Sequence, residues 1–595
     1  MPAKSAQRNV KKVATETRFQ GIAGSPGVAT GPVLLLRQNR PNIRRRPITP
    51  DQIPGELDRL EVALLRTRQQ IVEAQERLAS SVGKAEAAIF EAHLLVVEDP
   101  TILQGVKAQL AERLVSVESV YQDITSSLAD QMLALEDDYL RERAEDIHDV
   151  SRRVLQNLRA PGEAGVDITQ PSVIVADALS LTDLMATDRS RLLGFATEQG
   201  NRMSHAAIIA RSLNIPAVVG LRDVVDEVEN GMEVLLDGIS GLLILLPGEQ
   251  TKFEYGKMEE RRHRVEEQLD TLRDTLASTK DGHRVIISAN VELPEDFPHV
   301  AESGAEGIGL YRTEFLFINR NDFPTEEDQT EVYRKAAQTA KPHSIIIRTL
   351  DIGGDKAAQL ITGDEVEANP FLGWRGIRLC LDRLDLFKVQ LRAIARASTE
   401  GNVRIMFPMV SDLAEVRRAK ALLAEAVAEL RAEGVAIPEK IETGVMIEVP
   451  SAAMTADLIA KEVDFFSIGT NDLVQYTMAV DRLNERVATL YQPCHPAVLR
   501  FISRIAEEAH KGAIWAGICG EMAGDILLTP LLIGLGIDEL SMGSGSVPRV
   551  KKAIQSVNYE ECVALARQHL ASSSHEETLR SLTEFARKTY PDLII

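Results

Sequence analysis

Cysteine is scarce in this chain. Cys380, Cys494, Cys519 and Cys562 are the four in 595 residues, and their wide spacing matches neither a metal-binding pattern nor a disulfide framework. The compartment this implies is a reducing cytoplasm. Long apolar runs are missing as well: no stretch approaches the roughly 18 apolar residues of a membrane-spanning helix, so a helical crossing is excluded. The first twenty residues, MPAKSAQRNVKKVATETRFQ, are basic and polar with no apolar h-region. That argues against a secretory signal and predicts a disordered basic tail over 1–20. Positive charge is in deficit, with 67 Lys and Arg against 88 Asp and Glu and a net charge of -21. Such a balance speaks against a nucleic-acid binder and for solubility or a basic partner.

The length implies about three to five domains. GIAGSPGVATGPVLLL, from Gly21 to Leu36, mixes Gly/Pro turns with β-branched residues and reads as strand, turn, strand. From about Pro50 to Leu158 the texture changes to long amphipathic helices such as ELDRLEVALLRTRQQIVEAQERL. Strand-like runs then return in SVIVADA, RLLGFAT, IPAVVG, MEVLLDG and GLLILLP. The pattern predicts a helical subdomain, 41–161, inserted into one α/β domain made of 21–40 and 162–248. The charged stretch 249–278 reads as a linker helix, and 583–595 as a terminal tail.

Between them, over 279–582, eight β-rich runs alternate with helical stretches: RVIISAN, GIGLYRTE, SIIIRTLD, VRIMFPM, GVMIEVP, DFFSIGTND, AIWAGICGE and ELSMGS. Eight β/α alternations over about 300 residues predict a (β/α)₈ barrel, whose active site lies at the C-terminal strand ends. There the runs end in Arg312, Arg348, Glu448, Asn471, Asp472 and Cys519. Singly, each acid reads as a cap or surface charge and each arginine as a salt-bridge partner. Brought to one face, Glu448 and Asp472 suit Mg²⁺, which prefers oxygen ligands and keeps coordination room for phosphate. Converging arginines suit an anion carrying phosphate and carboxylate groups. Cys519 reads either as a small buried hydrophobe or as a proton donor, and a donor must hold its proton at working pH. DIGGDK and NPFLGWRGIR, the latter with Arg375, are weak signals taken alone.

His205, in GNRMSHAAIIARS, has a packing reading and a chemical one. Ser204 is a good N-cap and Ala206 to Ala210 propagate a helix, so His205 falls in a first turn, where free N–H groups and the helix dipole favour a phosphate.

Together these residues resemble the enzyme I family of bacterial phosphoenolpyruvate:sugar phosphotransferase systems. The likeness runs from about Gly21 to beyond Lys552 and rests on GLYRTEFLF, RTLDIGGDK, NPFLGWRGIR, IEVPSAA, SIGTNDLVQYTMAVDR and GICGEMAGD in that order, with SHAAIIARS at the phosphohistidine motif. The resemblance implies that His205 accepts a phosphoryl group and that Cys519 protonates enolpyruvate to pyruvate. It places Arg312, Arg348, Asn471, Asp472, Arg482 and Arg375 on phosphoenolpyruvate, and Glu448 with Asp472 on Mg²⁺. It also implies a swivelling phosphohistidine domain, a barrel that forms a homodimer, and a helical subdomain that docks HPr, a small phosphocarrier protein. Glu86, Glu91, Glu98 and Asp99 are candidates to face a basic patch on HPr, with a solvated helix face as the alternative.

Three positions depart from the family. GG-x-TSH reads here as GNRMSH, so Asn201 replaces a glycine and Met203 a threonine, and Leu184 stands where a second threonine is usual, with Thr182 a substitute in a shifted register. Asn tolerates positive φ, whereas Met203 has no hydroxyl to offer imidazole or phosphate. Pyruvate phosphate dikinase and phosphoenolpyruvate synthase share these modules but need a nucleotide-binding domain, and the residues before His205 contain no P-loop. A regulatory protein that binds phosphoenolpyruvate or HPr without transferring phosphate is the other alternative.

Overall fold

The computed structural model describes residues 15–36, 45–81, 89–133, 138–158, 170–179, 191–201, 204–213, 215–318, 322–353, 369–482, 484 and 486–594, in two compact units, Met1–Glu259 and Glu260–Ile595. The first holds an eight-stranded sheet. Its strands are β1 (Thr17–Gln20), β2 (Ile22–Ser25), β3 (Val28–Leu36), β4 (Ser172–Ala176), β5 (Leu192–Thr197), β6 (Ala217–Val219), β7 (Glu233–Asp237) and β8 (Leu242–Leu245). They follow the order β1-β8-β7-β3-β4-β5-β6-β2. β3 to β6 run parallel, and β1, β2, β7 and β8 pair antiparallel.

β4 is buried at every position because both faces of the sheet are covered. Val173 and Val175 face one core with Val33, Val218 and Leu236, while Ile174 and Ala176 face the other with Phe195 and Ala207. The second core continues into the helical insertion, whose helices are Ile53–Ser81, Ile89–Val97, Pro100–Arg113, Val117–Leu133 and Asp138–Leu158. This insertion joins the neighbouring strands β3 and β4, which pair from Val33↔Val173 to Leu36↔Ala176.

Two expected tails differ. Within 1–20, Thr17–Gln20 is an edge strand paired with β8, and Glu16 accepts hydrogen bonds from the Gly248 N–H and the Thr251 hydroxyl. Within 583–595, the chain continues the helix His575–Thr589, and Ala586, Tyr590 and Leu593 are buried in the core of the second unit. At the C-terminus burial of spaced apolar side chains outweighs a polar local composition, whereas the N-terminal strand is held by backbone pairing and the bonds of Glu16. The linker helix spans Glu249–Asp270 and ends before the expected 278. Past its end, the ammonium of Lys551 donates to the carbonyls of Arg273 and Gly304.

The second unit is built on a closed parallel barrel of β9 (Ile286–Val291), β10 (Ile308–Tyr311), β11 (Ile345–Arg348), β12 (Val403–Phe407), β13 (Thr443–Ile447), β14 (Phe465–Ile468), β15 (Trp515–Ile518) and β16 (Glu539–Met542). β16 pairs with β9 to close it. The interior is a plug rather than a pore: Leu310, Ile346, Met406, Met446 and Phe465 cluster with Cys519, and Phe465 stacks on Trp515 at 4.8 Å. This floor lies under the strand ends and keeps water from reaching them through the barrel. Among the described residues no helix is long and apolar enough to cross a membrane.

Candidate active site

The barrel gathers the polar strand ends. Arg348 ends β11, Arg312 follows β10, Glu448 follows β13 and Cys519 follows β15, while Asn471 and Asp472 occupy the first turn of the helix Thr470–Met478 after β14. All of them, with Arg375 and Arg482, line one cavity of about 490 Å³. The eight expected barrel residues are thus brought together.

Its centre is an ion network almost out of water. Arg375 grips Asp351 with two bonds, Nε to Oδ1 at 3.1 Å and Nη2 to Oδ2 at 2.8 Å, and its Nη2 lies 3.5 Å from Asp472 Oδ2. Arg348 donates to Asp351 Oδ2 at 2.9 Å and to Glu314 Oε1 at 3.1 Å. Burial works against the charge on Arg348, but Glu314 and Asp351 overcome it and hold its pKa above the ordinary range. Burial likewise pushes the Asp351 carboxyl up, and Arg348 and Arg375 pull it down further than that. Arg312 pairs with Glu292, and burial with the neighbouring Arg348 lowers its pKa.

Polar capacity in the network is left over. Among the described residues, Arg312 Nε, Arg348 Nε, Arg482 Nη1 and Asp472 Oδ1 are buried with no hydrogen-bond partner. A buried group without a partner costs about 1–3 kcal/mol, more when charged, so the site is poised to accept both an anion and a cation. Glu448, 1 % exposed, receives the Met409 N–H at 2.6 Å on Oε1. Burial, and then the Asp472 carboxylate, push the Glu448 pKa up to about 8. Among the described residues there is no group of three or more His, Cys, Asp or Glu side chains placed to hold a metal.

Cys519 caps the apolar plug, with Sγ 3.7 Å from the Ile468 carbonyl. Burial raises its thiol pKa to about 11, so the group carries its proton at neutral pH. Asn471 is locked to Glu521 in both directions, accepting the Glu521 N–H at 2.9 Å and donating to Oε1 at 3.1 Å.

In the first unit, His205 is the first residue of the helix His205–Ser212. Ser204 takes the N-cap backbone position, but its hydroxyl donates to the Asn201 carbonyl at 2.9 Å rather than accepting from the helix. The first-turn N–H groups are therefore not spent on the Ser204 side chain. Gly200, at φ +110°, supplies the left-handed residue of this loop, and Asn201 is not among the residues with positive φ. Met203, Thr182 and Leu184 lie outside the described residues, as does Glu86. Of the other acids proposed to face a carrier, Asp99 caps the helix Pro100–Arg113 and Glu98 pairs with Arg68, while Glu91 is exposed.

Sequence reasoning missed Glu314, Asp351 and Tyr476. Asp351 and Glu314 stood inside quoted motifs, RTLD and YRTE, as the acids next to the chosen arginines. Tyr476 is one helical turn beyond Asp472, accepts from Arg375 Nη1 at 3.5 Å and donates to the Phe371 carbonyl.

Comparison with known proteins places this architecture. Residues 20–143 match the family model for the N-terminal part of PEP-utilising enzymes, 168–241 the mobile domain and 266–559 the PEP-binding domain. A phosphoenolpyruvate-protein phosphotransferase of Priestia megaterium is 41 % identical over 96 % of this chain and 99 % of its own length. One of Geobacillus stearothermophilus is 41 % identical over 97 % of this chain and 98 % of its own. A solution NMR structure of an Enzyme I protein, 34 % identical, covers 41 % of this chain and 99 % of its own, with a TM-score of 0.35. Three consecutive modules and two near-full-length relatives agree: this chain belongs to the PEP-utilising enzymes and, among them, to the phosphoenolpyruvate-protein phosphotransferases.

Proposed function

We propose that the chain moves the phosphoryl group of phosphoenolpyruvate onto His205 and then onto a histidine of an HPr-type carrier, releasing pyruvate in the cytoplasm. The observation that carries this reading is the single cavity in which spare guanidinium donors, a paired carboxylate site and a protonated thiol converge. Arg312, Arg348, Arg375 and Arg482 receive the phosphate and carboxylate charges, and Asn471, fixed by Glu521, orients the substrate. Phosphoryl transfer asks mainly for positioning and neutralisation, which this cluster supplies without covalent help. As the P–O bond breaks, the enolate left behind takes a proton at C3 from Cys519, whose raised pKa keeps that proton available. The departing phosphoryl meets His205, whose helix start favours an anion.

The donor set fits Mg²⁺: Glu448 and Asp472 are hard oxygen ligands on adjacent strand ends, and Asp472 Oδ1 is buried with no partner among the described residues. When bound there, Mg²⁺ would supply positive charge to the phosphate oxygens. His205 and the barrel cavity belong to different compact units, and the resemblance to enzyme I supports a swivel of the phosphohistidine domain during transfer. Resemblance to enzyme I supports a homodimer through the barrel unit, which sedimentation would test.

The test is incubation with labelled phosphoenolpyruvate and Mg²⁺, comparing wild type with His205→Ala for acid-labile, alkali-stable phosphate. Label present in the wild type, absent in the mutant and lost with chelator is expected. Substrate bound with no label on His205 would replace this reading with a regulatory binder.

A further inference from the structure

Asn290 sits near the end of β9, where the barrel closes, and has no role in the chemistry above. Its side-chain amide bridges two neighbours. Nδ2 donates to the Cys519 carbonyl at 3.0 Å, and Oδ1 accepts from the Ser541 hydroxyl of β16 at 2.7 Å. The assignment is forced by chemistry, because a carbonyl can only accept and so must face the NH₂ end.

The place of this bridge matters. The β15–β16 ladder has its last pair at Ile518↔Leu540, one residue before Cys519. On the opposite side Cys519 is well tied: its N–H donates to Ile468 at 3.2 Å, and Gly520 lies so close to Thr470 that a Cβ would come within 1.9 Å of Oγ1. On the β9–β16 side, Asn290 takes over where the ladder stops. Cys519 also lines two adjoining spaces that share Arg312 and Asn471, the 490 Å³ cavity with Arg348 and Glu448 and an outer chamber of about 1040 Å³. Asn290 lines the outer chamber and not the inner cavity, and its amide is engaged at both ends, by the Cys519 carbonyl and the Ser541 hydroxyl.

We propose that Asn290, itself held by Ser541, is a positioning residue that aims the Cys519 thiol at one face of the enolate. The inference rests on the phosphotransferase reading above. In that reaction the P–O bond breaks as the bond from phosphorus to the His205 ring nitrogen forms. The electron pair at C3 of the enolate then takes the proton from Sγ, forming a C–H bond, and the thiolate left behind recovers a proton from solvent in the outer chamber. With the Cys519 carbonyl released, the thiol wanders from the C3 trajectory and water protonates either face.

The experiment uses stoichiometric full-length enzyme, Mg²⁺ and a phosphoenolpyruvate carrying one methyl group at C3, turned over in D₂O. The product, 2-oxobutyrate with one deuterium at C3, is trapped at once by reduction and its configuration read. Wild type gives one configuration. Asn290→Ala is expected to give a mixture and to slow single-turnover product formation about tenfold to a hundredfold, with phosphoenolpyruvate affinity within about twofold of wild type. Ser541→Ala removes only the outer bond and shifts both readouts the same way by less. A single retained configuration in Asn290→Ala overturns the proposal whatever its rate. If that variant does not fold, retention in Ser541→Ala overturns it. Wild type that makes no His205 phosphate removes the underlying reading and this inference with it, whereas a normal wild type beside a stereochemically unchanged Asn290→Ala removes this inference alone.

Discussion

A thiol kept protonated by burial should be a poor nucleophile, and Cys519 allows the deficit to be worked out. Burial dominates its shift from 9.0 to about 11, with Ser467, Arg348 and Arg312 pulling the other way. At pH 8 a thiol of pKa 9.0 is ionised to about a tenth, and one of about 11 to about one part in a thousand. The thiolate population is therefore about ninetyfold smaller. A more basic thiolate is intrinsically more reactive, by about six- to tenfold over two units at a Brønsted slope of 0.4–0.5, so the net deficit is about tenfold before any steric shielding. The assay is reaction of folded, chelator-treated enzyme with a small aromatic disulfide from pH 7 to 10.5, following the Cys519 peptide by mass spectrometry. The rate should climb about tenfold per pH unit up to about pH 10 and begin to bend only above it. A plateau reached by about pH 10 would mean an ordinary or depressed thiol and would refute the proton-donor argument. The same shift has a stability sign: between pH 9 and about 11 the unfolded chain loses a proton that the folded barrel keeps, so stability falls as pH rises through that window.

Replacing Asp351 with Ala leaves Arg348 and Arg375 buried without their shared counterion, a loss of about 3–5 kcal/mol by urea unfolding. Asp351→Asn keeps the shape and should lose less, and equal stability of the Ala variant and wild type would contradict the network. Lys551→Met strands the Arg273 and Gly304 carbonyls and should cost about 2–4 kcal/mol in the same measurement, with no change in phosphoenolpyruvate affinity.

The barrel was legible because most of its strands are short runs of β-branched and apolar residues stopped abruptly by a polar one, and the fold then stacks those stops on one rim. The insertion was legible from the change in period between Leu36 and Ser172. What stayed hidden is what only closure creates. Glu314 becomes a counterion of Arg348 when β10 and β11 lie side by side, Asp351 gains Arg375 from 24 positions on, and Asn290 meets Ser541 and Cys519 from 251 and 229 positions away. β1 was hidden for another reason: its stabilisation lies in backbone pairing to β8, more than two hundred residues on, and in one half-buried Phe19. The C-terminal helix did carry a signal, since Leu582 and Ala586 are one turn apart, but a charged context masked it.

The connection from β3 to β4 has a consequence for how the first unit assembles. A parallel neighbour can be reached by a crossover of about a dozen residues, yet here well over a hundred intervene. Closure entropy grows only with the logarithm of loop length, so the extra length costs about 2 kcal/mol if it stays unstructured. Once the helices have packed among themselves, even that penalty shrinks, because a folded module presents its two ends as a short bridge. The insertion is therefore expected to fold early, from local contacts, and to act as the template that brings β3 and β4 into register.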